Sequence, residues 1–81
     1  SRWQDLLLSV TRGIATIANA LRGAGVATDE RVGDYMVEAL FITITNANFD
    51  DQAILGKVDE GVALKKELLA LAAANNVALP D

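Results

Sequence analysis

Val32-Gly33-Asp34-Tyr35-Met36-Val37-Glu38-Ala39-Leu40-Phe41-Ile42-Thr43-Ile44-Thr45 is the stretch on which the fold class turns. Its last five residues are rich in β-branched side chains and, taken alone, suit a strand. Yet they continue a run with helical spacing, and no other segment of the chain offers a partner strand. Thr28 ahead of the run can cap free backbone N–H groups through its hydroxyl. Asp29 and Glu30 then fall in the first turn, where negative charge suits the helix dipole. The spacing therefore predicts a helix over about 29–46. Its apolar residues cover most of the circumference, as in a helix buried on several sides.

Upstream, Trp3, Leu7, Val10, Ile14, Ile17 and Leu21 follow a 4-3-4-3-4 spacing. That places all six on one stripe of a helix over about 2–22. Gly23-Ala24-Gly25 ends it, since glycine takes a left-handed cap readily. Downstream, Asp50 is a suitable N-cap with Asp51 in the first turn. Ile54, Val58, Gly61, Leu64, Leu68 and Leu71 form the main stripe of a helix over about 51–75. Leu55, Val62 and Leu69 flank that stripe, and Asn75-Asn76 fits the C-terminal end. Three amphipathic segments with short connections predict an all-α, up-down-up three-helix bundle occupying residues 1–81 as one domain.

The residue types restrict the chemistry. The chain has 81 residues, no His and no Cys. Thiol and imidazole nucleophiles and bases are thereby absent, as are the common ligands of zinc, haem and iron–sulfur clusters. No disulfide can staple the fold, so it stands on packing. A hydrophobic content of 52% supplies a core, and part of it is available for a surface outside this chain. The net charge is −4 with no basic stripe, which argues against a nucleic-acid partner. The stretch most suggestive of a membrane span, Trp3 to Leu21, is broken by Gln4, Asp5, Arg12 and Asn19, which argues against membrane insertion. Ser1-Arg2-Trp3-Gln4-Asp5 does not open a signal peptide, so a cytoplasmic location is expected.

Candidate sites are few. Glu30, Asp34 and Glu38 recur every four residues and form an acidic ladder, expected to be a solvated outer face rather than a cation site. Ser9, Thr11, Thr16, Thr43 and Thr45 offer hydroxyls without a neighbouring base to activate them. Gly23-Ala24-Gly25-Val26 follows a helix, not a strand, and reads as a turn rather than a phosphate loop. Gly13, Gly33, Gly56 and Gly61 fall within helices at a cost of about 1 kcal/mol each relative to alanine. They hint at close approach between helices or to another part of a larger protein. Thr45-Asn46-Ala47-Asn48-Phe49-Asp50 is a polar block after a very apolar run, and capping alone would account for it.

Three blocks carry a resemblance. Gln4-Asp5-Leu6-Leu7, Arg12-Gly13-Ile14-Ala15 and Leu40 through Asp50, in that order and spacing, resemble the N-terminal helical region of the hybrid-cluster proteins, also called prismane proteins or hydroxylamine reductases. Glu60 through Leu68 continues the match, which covers about Gln4 to Leu69. Proteins of that family are several times longer and have three domains. They carry a cubane iron–sulfur cluster and a hybrid iron–sulfur–oxygen cluster, and reduce hydroxylamine or nitric oxide with electrons from a redox partner.

The resemblance implies that the ligands of both clusters lie outside the matched region, so this chain has no catalytic, cofactor-binding or metal residue of its own. It implies one exception of a weaker kind: Thr45 and Asn46 as hydrogen-bonding groups in the wall of the hybrid-cluster pocket. The partners expected are the remaining domains of the parent protein, and the isolated bundle is expected to self-associate through surface the parent would bury. Two other readings stay open: a self-standing helical interaction module, and the helical domain of a carbon monoxide dehydrogenase, a relative of the prismane proteins.

Overall fold

The computed structural model describes residues 2–45 and 50–80, which form three helices and no strand. These are α1, Arg2–Gly23; α2, Glu30–Thr45; and α3, Asp51–Ala74. Phe41 to Thr45 is helical, so continuation of the helical period outweighs local β-propensity. The described residues extend 41 × 18 × 17 Å. At about 1.5 Å per residue, α3 alone spans most of the long axis and no two helices fit end to end. They therefore lie side by side, reversing direction at each connection.

Helix ends are fixed by local hydrogen bonds. Two of them share one device. After α1, Gly25 takes φ 79°, and Val26 N–H donates to the Leu21 carbonyl at 2.9 Å. After α3, Asn76 takes φ 55°, and Val77 N–H donates to the Ala72 carbonyl at 2.9 Å. Each is a left-handed Schellman closure followed by a valine that packs on the core. At the start of α3, the Asp50 carboxylate accepts from Ala53 N–H at 2.8 Å. At the start of α2, the cap is Asp29 rather than Thr28: its carboxylate accepts from Arg31 N–H at 2.8 Å. The helix thus begins at Glu30, one residue later than expected. A carboxylate is an N-cap of at least equal rank to threonine, and it is closer to the first turn.

The core follows the stripes. Leu7, Ile14, Ile17 and Leu21 of α1 are buried, with Trp3 and Val10 at its margin. Thr11 and Ala18 join them, because α1 faces two neighbours and its buried arc is wider than one row. Thr11 enters the core at little cost, since its hydroxyl donates to the Leu7 carbonyl at 2.8 Å. From α3 come Ile54, Val58, Gly61, Leu64, Leu68 and Ala72, while Leu71 is half-buried. From α2 come Val32, Tyr35, Ala39 and Ile42. Each fully buried large side chain contributes about 1.5–3 kcal/mol of transfer free energy.

Tyr35 marks the point where all three helices meet. Its ring lies against Gly61 of α3 and Val10 of α1, in space that a side chain at 61 would occupy. Its hydroxyl donates to the Lys57 carbonyl at 2.9 Å. Of the helical glycines, Gly61 therefore serves close helix approach, while a Cβ at Gly13 would lie 3.3 Å from Lys65 Nζ, the far end of a flexible side chain. Gly33 and Gly56 have open space where a side chain would be.

α2 is not covered on several sides. Opposite its buried row, Val37, Leu40 and Ile44 are 69%, 40% and 77% exposed. The bundle has only two other helices, and α1 and α3 pack mostly on each other, leaving one arc of α2 to bury.

Candidate functional site

Between α2 and α3 runs a cleft rather than a packed seam. Arg31, Asp34 and Glu38 of α2 face Glu60 and Glu67 of α3 across it, with Tyr35 and Leu64 at its floor. The backbones of these helices make few close contacts, so side chains bridge the gap. Lys57 is the hub: its ammonium pairs with Glu38, and with Glu60 at 3.2 Å. It also lies 4.9 Å from the centre of the Tyr35 ring, in cation–π range. Further along, Arg31 bridges Glu67 at 3.0 Å and Asp29 at 3.3 Å.

The titration behaviour of these groups argues against proton chemistry. Partial burial works against the charge on Lys57, but its hydrogen bonds to Glu38 and Glu60 outweigh that and hold its pKa above the ordinary ammonium value. It stays a cation at neutral pH and makes no nucleophile. Burial pushes the Tyr35 hydroxyl above the ordinary phenol value, and that hydroxyl is committed to a carbonyl. The exposed bridges are screened by solvent, so the cleft closes the bundle without strong electrostatic driving.

The acidic ladder is therefore divided. Asp34 and Glu38 line the cleft and Glu38 is paired with Lys57, whereas Glu30 is exposed outside it. Among the described residues no group of three or more acidic side chains is placed to hold a metal ion. Three of the hydroxyls are spent within their own helices: Thr11 donates to Leu7 O at 2.8 Å, Thr16 to Arg12 O at 3.0 Å and Thr43 to Leu40 O at 2.9 Å. The residues that organise the cleft, Lys57, Tyr35 and Arg31, were not singled out as a set by the sequence. The only local signal was Lys57 three residues before Glu60, a spacing suited to pairing on a helix.

Thr45 is the last residue of α2, so that helix delivers the Thr-Asn block at its C-terminal end. The Thr45 side chain and Asn46 lie outside the described residues. No helix among the described residues is long and apolar enough to cross a membrane.

A family model described as the Prismane/CO dehydrogenase family matches residues 1–79. A hydroxylamine reductase of Porphyromonas gingivalis is 46% identical over 78 residues, 95% of this chain and 14% of that protein. One of Bacteroides thetaiotaomicron is 54% identical over 65 residues, covering 80% of this chain and 12% of the relative. One of Desulfovibrio desulfuricans is 48% identical over 67 residues, covering 83% and 12%. The chain thus spans 12–14% of the length of these relatives. No solved structure matches it.

Proposed function

The chain belongs to the Prismane/CO dehydrogenase family, and from that premise we propose that it is a helical segment of a longer iron–sulfur oxidoreductase of hydroxylamine reductase type. In that protein it supplies packing surface and pocket wall, not cluster ligands, and by itself it is catalytically inert. The observation that carries this reading is identity of 46–54% to hydroxylamine reductases in a chain without a single Cys or His. The residues do not fit a cluster, whose irons are held by thiolates and sometimes imidazoles, so no redox step is derived through this chain. The curated relatives named above are hydroxylamine reductases, which favours that chemistry over carbon monoxide oxidation.

Within this reading, Thr45 and Asn46 form part of the wall of the hybrid-cluster pocket. A hydroxyl and a carboxamide there can orient a small polar substrate through hydrogen bonds, and neither can carry an electron. The position of Thr45 at the end of α2 supports this, because a residue leaving a rigid helix is held more firmly than one within a loop.

Anaerobic reconstitution of the 81-residue chain with iron and sulfide tests the proposal. The expected result is no stoichiometric cluster and no hydroxylamine-dependent oxidation of a reduced viologen dye. A bound cluster or turnover by this chain alone would overturn it. So would a gene whose reading frame is confined to these residues.

A further inference from the structure

α2 carries two apolar rows on opposite faces. The inner row, Val32, Tyr35, Ala39 and Ile42, has the 3-4-3 spacing of a helix seam and is at most 8% exposed. The outer row, Gly33, Val37, Leu40 and Ile44, has the complementary 4-3-4 spacing. Its three aliphatic members are 69%, 40% and 77% exposed. We propose that this outer row seats a second, apolar helix contributed by another part of the longer polypeptide. The inference rests on the reading of the chain as a segment of a larger protein, and goes beyond it by assigning the docking face.

Three features point to a helix. A row at 4-3-4 spacing is a ridge of the kind that interdigitates with a facing helix. Shallow depressions flank it: one beside Met36, Thr28 and Arg22, the other beside Ile42 and Lys57. Gly33 stands at the head of the row with nothing within 4 Å of the position its Cβ would take. Without a side chain, that turn leaves the backbone of the outer row uncovered. A facing backbone approaching closely at that turn would cover it.

The choice between a tethered helix and a second copy follows from area. The exposed parts of Val37, Leu40 and Ile44 amount to a few hundred Å², on the order of half of the roughly 800 Å² per partner of a stable complex. Such a patch holds a free partner weakly. It suffices for a segment of the same polypeptide, whose effective concentration is in the millimolar range. The relatives offer ample chain for this, since the match covers only 12–14% of their length.

Hydroxyl-radical footprinting of the full-length polypeptide that carries this chain tests the proposal. Modification of Val37, Leu40 and Ile44 is compared between the native state and the same polypeptide in urea. With 40–77% of each side chain exposed in the bundle alone, an uncovered face would react within about threefold of the unfolded rate. The expected result is protection of about tenfold or more at all three, independent of protein concentration, and lost at Leu40 in the V37D/I44D double variant. Native reactivity within threefold overturns the docking face. Protection that appears only with dimerisation in sedimentation runs overturns the tethered occupant in favour of a second copy. Either failure leaves the proposed oxidoreductase role standing if the polypeptide binds iron–sulfur clusters, whereas a polypeptide without them defeats that role instead.

Discussion

Substituting Gly61 with alanine tests the central packing claim. A methyl group there would overlap Tyr35 Oη and lie 2.7 Å from both Tyr35 Cζ and Val10 Cγ1. Tyr35 is 1% exposed and tethered to the Lys57 carbonyl, so its ring can yield only by breaking that bond and shifting toward the cleft. Overpacking of this kind costs about 1–3 kcal/mol. Displacing the hydroxyl from its acceptor adds about 1–3 kcal/mol if the group stays buried. Alanine returns about 1 kcal/mol of helix propensity. The net expectation is a loss of about 3 kcal/mol, or about 12–24 °C in melting temperature for a domain of this size. Urea melts followed by circular dichroism at 222 nm, with Trp3 fluorescence as a second probe, would measure it. In the Tyr35→Phe background the cost of Gly61→Ala should shrink by at least about 1 kcal/mol, because the most crowded atom is gone. If Gly61→Ala is neutral or stabilising, Tyr35 does not lie against Gly61 and the meeting point of the three helices is misplaced.

The same melts check the other expectations. Gly56→Ala meets nothing within 4 Å and should raise stability by up to about 1 kcal/mol, opposite in sign to Gly61→Ala. Asp50→Ala removes the carboxylate that accepts from Ala53 N–H and should cost about 1 kcal/mol, while Asp50→Ser keeps most of it. The pH dependence has a definite sign. Tyr35 and Lys57 both have folded pKa values raised above their ordinary 10.0 and 10.5, so folding favours their protonated forms. That contribution is complete below the unfolded values and lost as pH rises through the folded ones. With no histidine in the chain, the melting temperature should be level between about pH 6 and 9 and fall above about pH 10. A transition near pH 6.5 would contradict this.

The fold was legible because it rests on short-range periodicity. The α1 row from Trp3 to Leu21 and the α3 row from Ile54 to Leu68 point inward where their spacing directs them. Two kinds of feature were not legible. Thr11 and Ala18 are buried because α1 is wedged between two helices, and a single row of large residues does not reveal how wide the buried arc is. The cap of α2 was misplaced by one residue because Thr28 and Asp29 are both able caps. Only the backbone entry angle decides between them, and that depends on how Gly25 turns the chain.

The cleft was illegible for a different reason, and it bears on what such a segment reveals about function. Its pairs join residues far apart in sequence, Glu38 with Lys57 and Arg31 with Glu67, and nothing in the local pattern of either helix specifies the partner. An acidic ladder read on one helix therefore looks like a solvated face, although two of its three members line a junction. The outer row of α2 shows the converse. It was plain in the sequence as excess apolarity, yet three helices provide no surface to receive it. Hydrophobic pattern alone does not tell which of two apolar rows the bundle will cover. A helix with more apolar rows than its bundle has neighbours is thus informative in itself: the surplus row is the one on which the docking proposal stands. For α2 that is one row, Gly33, Val37, Leu40 and Ile44, ending one residue before the end of the helix at Thr45.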